Sequence, residues 1–166
     1  MLMMLCHRPA SEEDLAAICS FVQSEDELFY FFPKADYPLT LQQLQQAVAQ
    51  RIDATVVEYA GKVVAFANFY LWEQGGRCAI GNVIVSPHAR RAGVGRYLIN
   101  SMAALAFAKY QAAEVTVSCF NHNTAALLLY PRLGFVPYAI EARQDKQGRN
   151  VALVHMRLLR PVPHGS

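Results

Sequence analysis

The stretch "NVIVSPHARRAGVGRYLI", residues 82–99, decides the fold. An apolar, strand-like run stops at Ser86-Pro87, and Gly93 and Gly95 then stand among Arg90, Arg91 and Arg96. From Val94 the apolar residues Val94, Leu98, Met102 and Leu105 recur every three or four positions, which predicts an amphipathic helix. The start of a helix exposes about four unpaired backbone N–H groups and the positive end of the helix dipole. Such an end binds anions, phosphate above all. Glycines let a ligand approach the backbone closely, and the arginines add charge beside it. The turn reads as a phosphate cradle, against the plainer alternative of a strand-to-helix turn with solvated arginines. The Gly-Lys-Ser/Thr of a P-loop is absent, and a dinucleotide fingerprint would need a third glycine where Leu98 stands. ATP and NAD are both disfavoured.

The rest of the chain narrows the reading. Its 166 residues suit one domain, read as 1–160, followed by a flexible tail at 161–166. With 54% hydrophobic and 17% charged residues the balance is globular. A net charge of +2 does not argue for nucleic acid, so the cations around Arg90 need a local reason. Cys6, Cys19, Cys78 and Cys119 lack the two-residue spacing of a zinc or redox pair and read as reduced thiols of a cytoplasmic protein; no metal is expected. The apolar start is too short for a signal peptide, and no apolar run approaches the roughly 18 residues that span a membrane.

Ser11 with Asp14, and Thr40 with Gln43, mark the starts of two helices, the second running to about Ala49. Between them "SEDELFYFFPKADYPL" has no clean period and reads as a long connection or short helical pieces. Gly61-Lys62 and Gly75-Gly76 divide the next segment into three β-rich runs at hairpin spacing. "AEVTVSCF" is a strand, "NTAALLLYPRLG" a helix capped by Asn123, and "FVPYAIEAR" and "NVALVHMRLL" are strands joined by a polar turn. The result is a single α/β domain with a mixed sheet, about seven strands flanked by about four helices.

Arg90-x-x-Gly93-x-Gly95 resembles the acetyl-CoA pyrophosphate loop of the GNAT superfamily of N-acetyltransferases. Asn123, Ala126, Leu129, Tyr130 and Leu133-Gly134-Phe135 resemble that family's other signature, and the order of elements is similar from about residue 5 to 159. The resemblance implies a fold in which strands 78–85 and 114–120 are parallel neighbours that splay apart. Acetyl-CoA would lie between them, its pantetheine arm along Val83 and Val85 and its pyrophosphate on Arg90, Arg91, Gly93, Val94, Gly95 and Arg96. Gly81-Asn82 is a candidate bulge that opens the splay.

The resemblance further implies acetyl transfer to an amine by direct attack in a ternary complex. Tyr130 is then the general acid that protonates the departing thiolate. A phenol, with a reference pKa of about 10, keeps its proton at pH 7. Ser118 could hydrogen-bond Tyr130 or the sulfur. Asn121 and Asn123 could hold the pantetheine amides, and Asn123 also caps its helix. No glutamate stands on "CAIGNVIV", where many relatives place the base; Glu73, His88 and His122 are weaker candidates. Acids and aromatics, with Glu27, Phe29, Tyr30, Trp72 and Glu73 foremost, are expected to line the acceptor site. They suit a lysine side chain of a peptide or protein, or an amine-bearing small molecule. No nucleic acid or membrane partner is expected, and the chain would act as a monomer or homodimer. The rival is a non-catalytic GNAT-fold module that senses acyl-CoA. Tyr130 argues against it, and the missing glutamate for it.

Overall fold

Two turns in the middle of the chain set the sheet. Ala60 and Gly61 take positive φ of 51° and 78°, and Gly75 one of 69°, so the chain reverses sharply twice. Strands β2 (Ile52–Tyr59), β3 (Lys62–Trp72) and β4 (Arg77–Val85) therefore form an antiparallel meander. The computed structural model describes residues 4–163. It adds β1 (Leu5–Pro9), β5 (Glu114–Phe120), β6 (Val136–Gln144) and β7 (Asn150–Leu159), giving one seven-stranded sheet in the order β1-β2-β3-β4-β5-β7-β6. The last strand is thus inserted between β5 and β6. Of the tail expected at 161–166, residues 164–166 lie outside the described residues, and 161–163 have no regular structure.

Side chains alternate along each strand, so the sheet supplies two apolar faces. Helices α1 (Leu15–Ser20), α2 (Glu25–Phe31) and α3 (Leu41–Ala49) cover one, packing Ile18, Leu28, Phe31 and Leu44 with Val56, Phe66 and Ile84. The other face, with Phe69, Ile80, Val115 and Val117, is covered by α4 (Val94–Lys109) through Leu98, Ile99 and Met102 and by α5 (Thr124–Arg132) through Tyr130. Each large apolar side chain buried this way contributes about 1.5–3 kcal/mol.

Among the described residues there are five α-helices, against the about four expected. The extra one, α2, lies in the segment read as a connection or short helical pieces. Ser24 caps it by accepting the Glu27 N–H at 3.1 Å, and Glu25, Asp26 and Glu27 suit the positive end of its dipole. Its seven residues make two turns, too few for a helical period to stand out.

The expected cap at Ser11 is present and holds more than a helix end. Asp14 accepts from the Ser11 N–H at 2.7 Å and from two Arg8 nitrogens at 2.8 Å each, while Arg8 also pairs with Glu58. The Arg8 guanidinium, with the Ser11 bonds, holds the buried Asp14 carboxyl down at about 2. A depressed carboxylate pKa contributes stability above the unfolded value of about 3.9, and that contribution is lost as pH falls toward the folded value. Asp14→Asn should therefore cost about 1–2 kcal/mol at pH 7, the Arg8 side being open to solvent. The gap in melting temperature between variant and wild type should close as pH falls from about 4 to about 2, which a pH series of thermal melts checks.

Candidate active site

The parallel pair β4–β5 is joined only where residues 77–79 face 114–116. Past Ala79 and Thr116 the two strands part, so among the described residues the β4 edge at Val83 and Val85 has no strand partner on that side. A bulge helps to open the gap. Between the pairs Asn68↔Gly81 and Phe66↔Ile84, β4 advances one residue more than β3. Asn82, in the bulge, takes φ +47°, a region that asparagine tolerates better than most residues. Its buried side chain donates to the Phe31 carbonyl at 2.9 Å and accepts from the Asn68 amide at 3.0 Å. Asn68 in turn accepts from Arg51 at 3.2 Å. The end of α2 is thereby pinned to the opening. Gly81 is needed for close approach: an added Cβ would lie 2.5 Å from the Arg51 guanidinium and 2.6 Å from the Tyr70 ring. Gly81 and Asn82 were legible as a bulge, whereas Arg51 and Asn68 gave no signal in the sequence.

The strand-to-helix turn follows. After a short 3-10 turn at Pro87–Ala89, which leaves His88 exposed, Arg91 has φ +65° and Gly93 φ +79°. Gly93 caps α4 without a side chain, leaving the N–H groups of Val94, Gly95 and Arg96 at the helix start. Gly95 serves packing: a Cβ there would sit 3.3 Å from Leu129 and 3.8 Å from Val85. Arg91 and Arg96 are exposed. Arg90 turns back to α2, where it pairs with Glu27 at 2.5 Å, and it donates to the Val85 carbonyl at 3.3 Å. Glu27, expected in the acceptor wall, thus stands beside the cradle.

Asn123 caps α5, accepting the Ala126 N–H at 3.3 Å. Tyr130 is 5% exposed, and its phenol makes no hydrogen bond among the described residues. Burial, with Cys119 nearby, pushes its pKa well above the ordinary phenol value. Pro131 sits in the last turn, and the helix ends one residue later, with the Tyr130 carbonyl accepting from Leu133 at 3.0 Å and Phe135 at 3.1 Å. Asn121 extends the β5–β7 ladder, exchanging two 2.8 Å bonds with Ala152.

Ser118 departs from expectation. Val117 and Cys119 face Tyr130, so Ser118 and Phe120 face the other way, and Phe120 stacks on Phe29 of α2 with ring centres 4.3 Å apart. Ser118 therefore does not reach Tyr130; its hydroxyl lies 2.7 Å from His155 Nδ1, and His155 Nε2 lies 3.0 Å from Glu141. His155 and Glu141 were not found in the sequence, because only the pairing of β5, β7 and β6 brings them to Ser118. Tyr30 donates to the His122 carbonyl at 3.2 Å, so Phe29 and Tyr30 close over the end of β5. Trp72 and Glu73 stand at the closed end of the splay instead. Trp72 pairs with Cys78, and the Glu73 N–H donates to the Arg77 carbonyl at 3.0 Å. Among the described residues no cluster of His, Cys, Asp and Glu could hold a metal ion.

Parallel strands parting over a glycine-capped helix start, inside a sheet of this order, are the architecture of an N-acetyltransferase fold. The chain belongs to the acetyltransferase (GNAT) family, whose model matches residues 18–135. Solved structures share the whole fold. Spermidine N-acetyltransferase from Vibrio cholerae, in complex with CoA and spermine, has a TM-score of 0.78 at 21% identity, covering 93% of this chain and 95% of that one. A ribosomal-protein-alanine N-acetyltransferase from Brucella melitensis scores 0.76 at 21% identity, covering 93% and 99%. yncA from Salmonella typhimurium, with its cofactor acetyl-CoA, scores 0.72 at 21% identity, covering 97% and 96%. No curated protein matches the sequence.

Asn82→Ala should destabilise the protein by about 2–4 kcal/mol, since it leaves buried polar groups of Phe31 and Asn68 unpaired and places alanine at positive φ. Urea unfolding measures this. A loss below about 0.5 kcal/mol would show that the bulge does not depend on the asparagine.

Proposed function

We propose that this chain transfers an acetyl group from acetyl-CoA to a primary amine by direct attack in a ternary complex. The observation that carries the reading is the opening of β4 from β5 with Tyr130 on one face and the Ser118 side open on the other. Acetyl-CoA suits this opening: the N–H groups at the start of α4, with Arg91 and Arg96, would hold a pyrophosphate, and the free β4 edge at Val83 and Val85 would pair with pantetheine amides. A backbone N–H near Val85 would polarise the thioester carbonyl. Tyr130, whose phenol burial keeps protonated, would give its proton to the departing sulfur, whose reference pKa of about 8.5 is lower. Asn121 and Asn123 would reach the pantetheine with the polar atoms that their backbone-bonding roles leave free.

The acceptor enters from the α2 face. There Arg51 has no acid partner among the described residues, and Glu27 is already paired with Arg90. Tyr70, at 5.4 Å from the Arg51 guanidinium, and Tyr30 add aromatic surface. This wall favours an amine on an apolar stem, a peptide lysine or an aromatic or aliphatic small molecule, over a polycation such as a polyamine. Four free thiols fit work in the cytoplasm, and the exposed β6 edge fits either a monomer or a homodimer. The chemistry calls for no metal.

Thiol release from acetyl-CoA, followed with lysine peptides, N-terminal peptides, polyamines, aminoglycosides and aromatic amines, tests the reading. Acceptor-dependent release is expected from the lysine or aromatic members, and Tyr130→Phe should lower kcat about 100-fold with little change in KM for acetyl-CoA. Tight acetyl-CoA binding with no amine-dependent release would favour the acyl-CoA sensor instead.

A further inference from the structure

Ser118, His155 and Glu141 form one hydrogen-bonded chain across β5, β7 and β6, on the face of the sheet turned away from Tyr130. Arg143, donating to Glu141 at 2.9 Å, and then His155 hold that carboxyl below its ordinary pKa, so it is an ionised acceptor. His155 Nε2 must then carry the hydrogen that it shares with Glu141. In the neutral ring Nδ1 is left as a bare acceptor, and the Ser118 hydroxyl donates to it. The serine oxygen thus keeps its own lone pairs free to take a proton.

The place of this chain in the cleft gives it a use. The last β4–β5 pair is Ala79↔Thr116, and two residues further on Gly81 and Ser118 flank the opening. β4 offers no acid there. The other charged and titratable groups around His155 are Tyr138, with ring centres 6.0 Å apart, and Arg157, which lies over Tyr138 at 5.5 Å. Glu141 is the acid that His155 touches.

We propose that Ser118, His155 and Glu141 are the proton path for the acceptor amine, an assignment that rests on the acetyltransferase reading above. As the nitrogen–carbon bond forms and the carbon–sulfur bond breaks, one N–H proton passes to Ser118 Oγ, and the serine's own proton passes to His155 Nδ1. Glu141 balances the imidazolium charge. The sulfur receives its proton from Tyr130 on the opposite face. Afterwards His155 gives one proton to solvent and Tyr130 regains one, so the sum is amine plus thioester to amide plus thiol. Ser118 is the catalytic residue of this path, because it touches the amine; His155 and Glu141 act through it.

The test compares Ser118→Ala, His155→Gln and Glu141→Gln with wild type, using acetyl-CoA and the best amine of the panel across pH. His155→Gln should lose about 100-fold in kcat at unchanged KM for acetyl-CoA, and should lose the limb over which wild-type activity falls toward acid pH. Added imidazole should restore part of the rate to His155→Ala. Ser118→Ala, a small change that spares the fold, should slow turnover in the same direction, and Glu141→Gln should shift the acid limb. Nitrogen NMR of wild type should show the ring proton on Nε2. A ring proton on Nδ1, or an acetyl group found on Ser118, would overturn the assignment. So would variants within about threefold of wild type with an unchanged acid limb. A wild type that turns over no amine removes the acetyltransferase reading and the path with it; active variants beside an active wild type remove the path alone.

Discussion

Three residues of β4 pair with three of β5, and then the strands separate. A parallel pair in the middle of a sheet would ordinarily continue, because buried backbone groups without partners are costly. Here several side chains hold the strands apart. Asn82 spends its polar groups on Asn68 and the Phe31 carbonyl, which fixes β4 in its bulge. Arg51 and Tyr70 crowd over Gly81, where no Cβ could stand. On the far side β5 is held by its full ladder with β7, which Asn121 lengthens. The gap is therefore built from both banks, and a substrate with amide groups of its own can complete the backbone edge that it leaves.

The alternation of a strand divides the chemistry between two faces. Cys119 and Ser118 are neighbours in sequence, yet one looks toward Tyr130 and α4, the other toward His155 and α2. In the proposed reaction, Tyr130 on one face would serve the leaving sulfur and Ser118 on the other the incoming amine. Burial disfavours the phenolate, so the Tyr130 phenol keeps its proton, while the histidine side chain is partly open to solvent.

Much of this was legible in the sequence, for definable reasons. The glycine-capped start of α4 could be read because a glycine turn before an apolar period leaves local signals, and Tyr130 could be placed on α5 because it sits in a short motif. The seven strands followed from turn residues and β-branched runs. Helix α2 was blurred because two turns do not show a period. Of the two partners open to Ser118, Tyr130 or the sulfur, the structure removes Tyr130, because the face a strand residue takes is fixed by pairing, which one strand's residues do not reveal. The pairing of Glu27 with Arg90, 63 positions away, left no signal in the sequence. His155, Glu141, Arg51 and Asn68 stayed hidden for the same reason: their roles exist only once distant strands are in register.

The strand that carries His155 is the seventh in chain order but lies inside the sheet, between β5 and β6. A polypeptide leaves the ribosome from its N-terminus, and its parts become available to fold in that order. The helix start that suits phosphate, the opening at β4 and the phenol of Tyr130 are all synthesised before β7. The partial chain can therefore form the β4 opening and the α4 start first, with the β5 edge still bare, and only the arrival of β7 both seals that edge and sets a histidine beside Ser118. Protection of the β5 edge and formation of the Ser118–His155 contact are one event in the birth of the molecule.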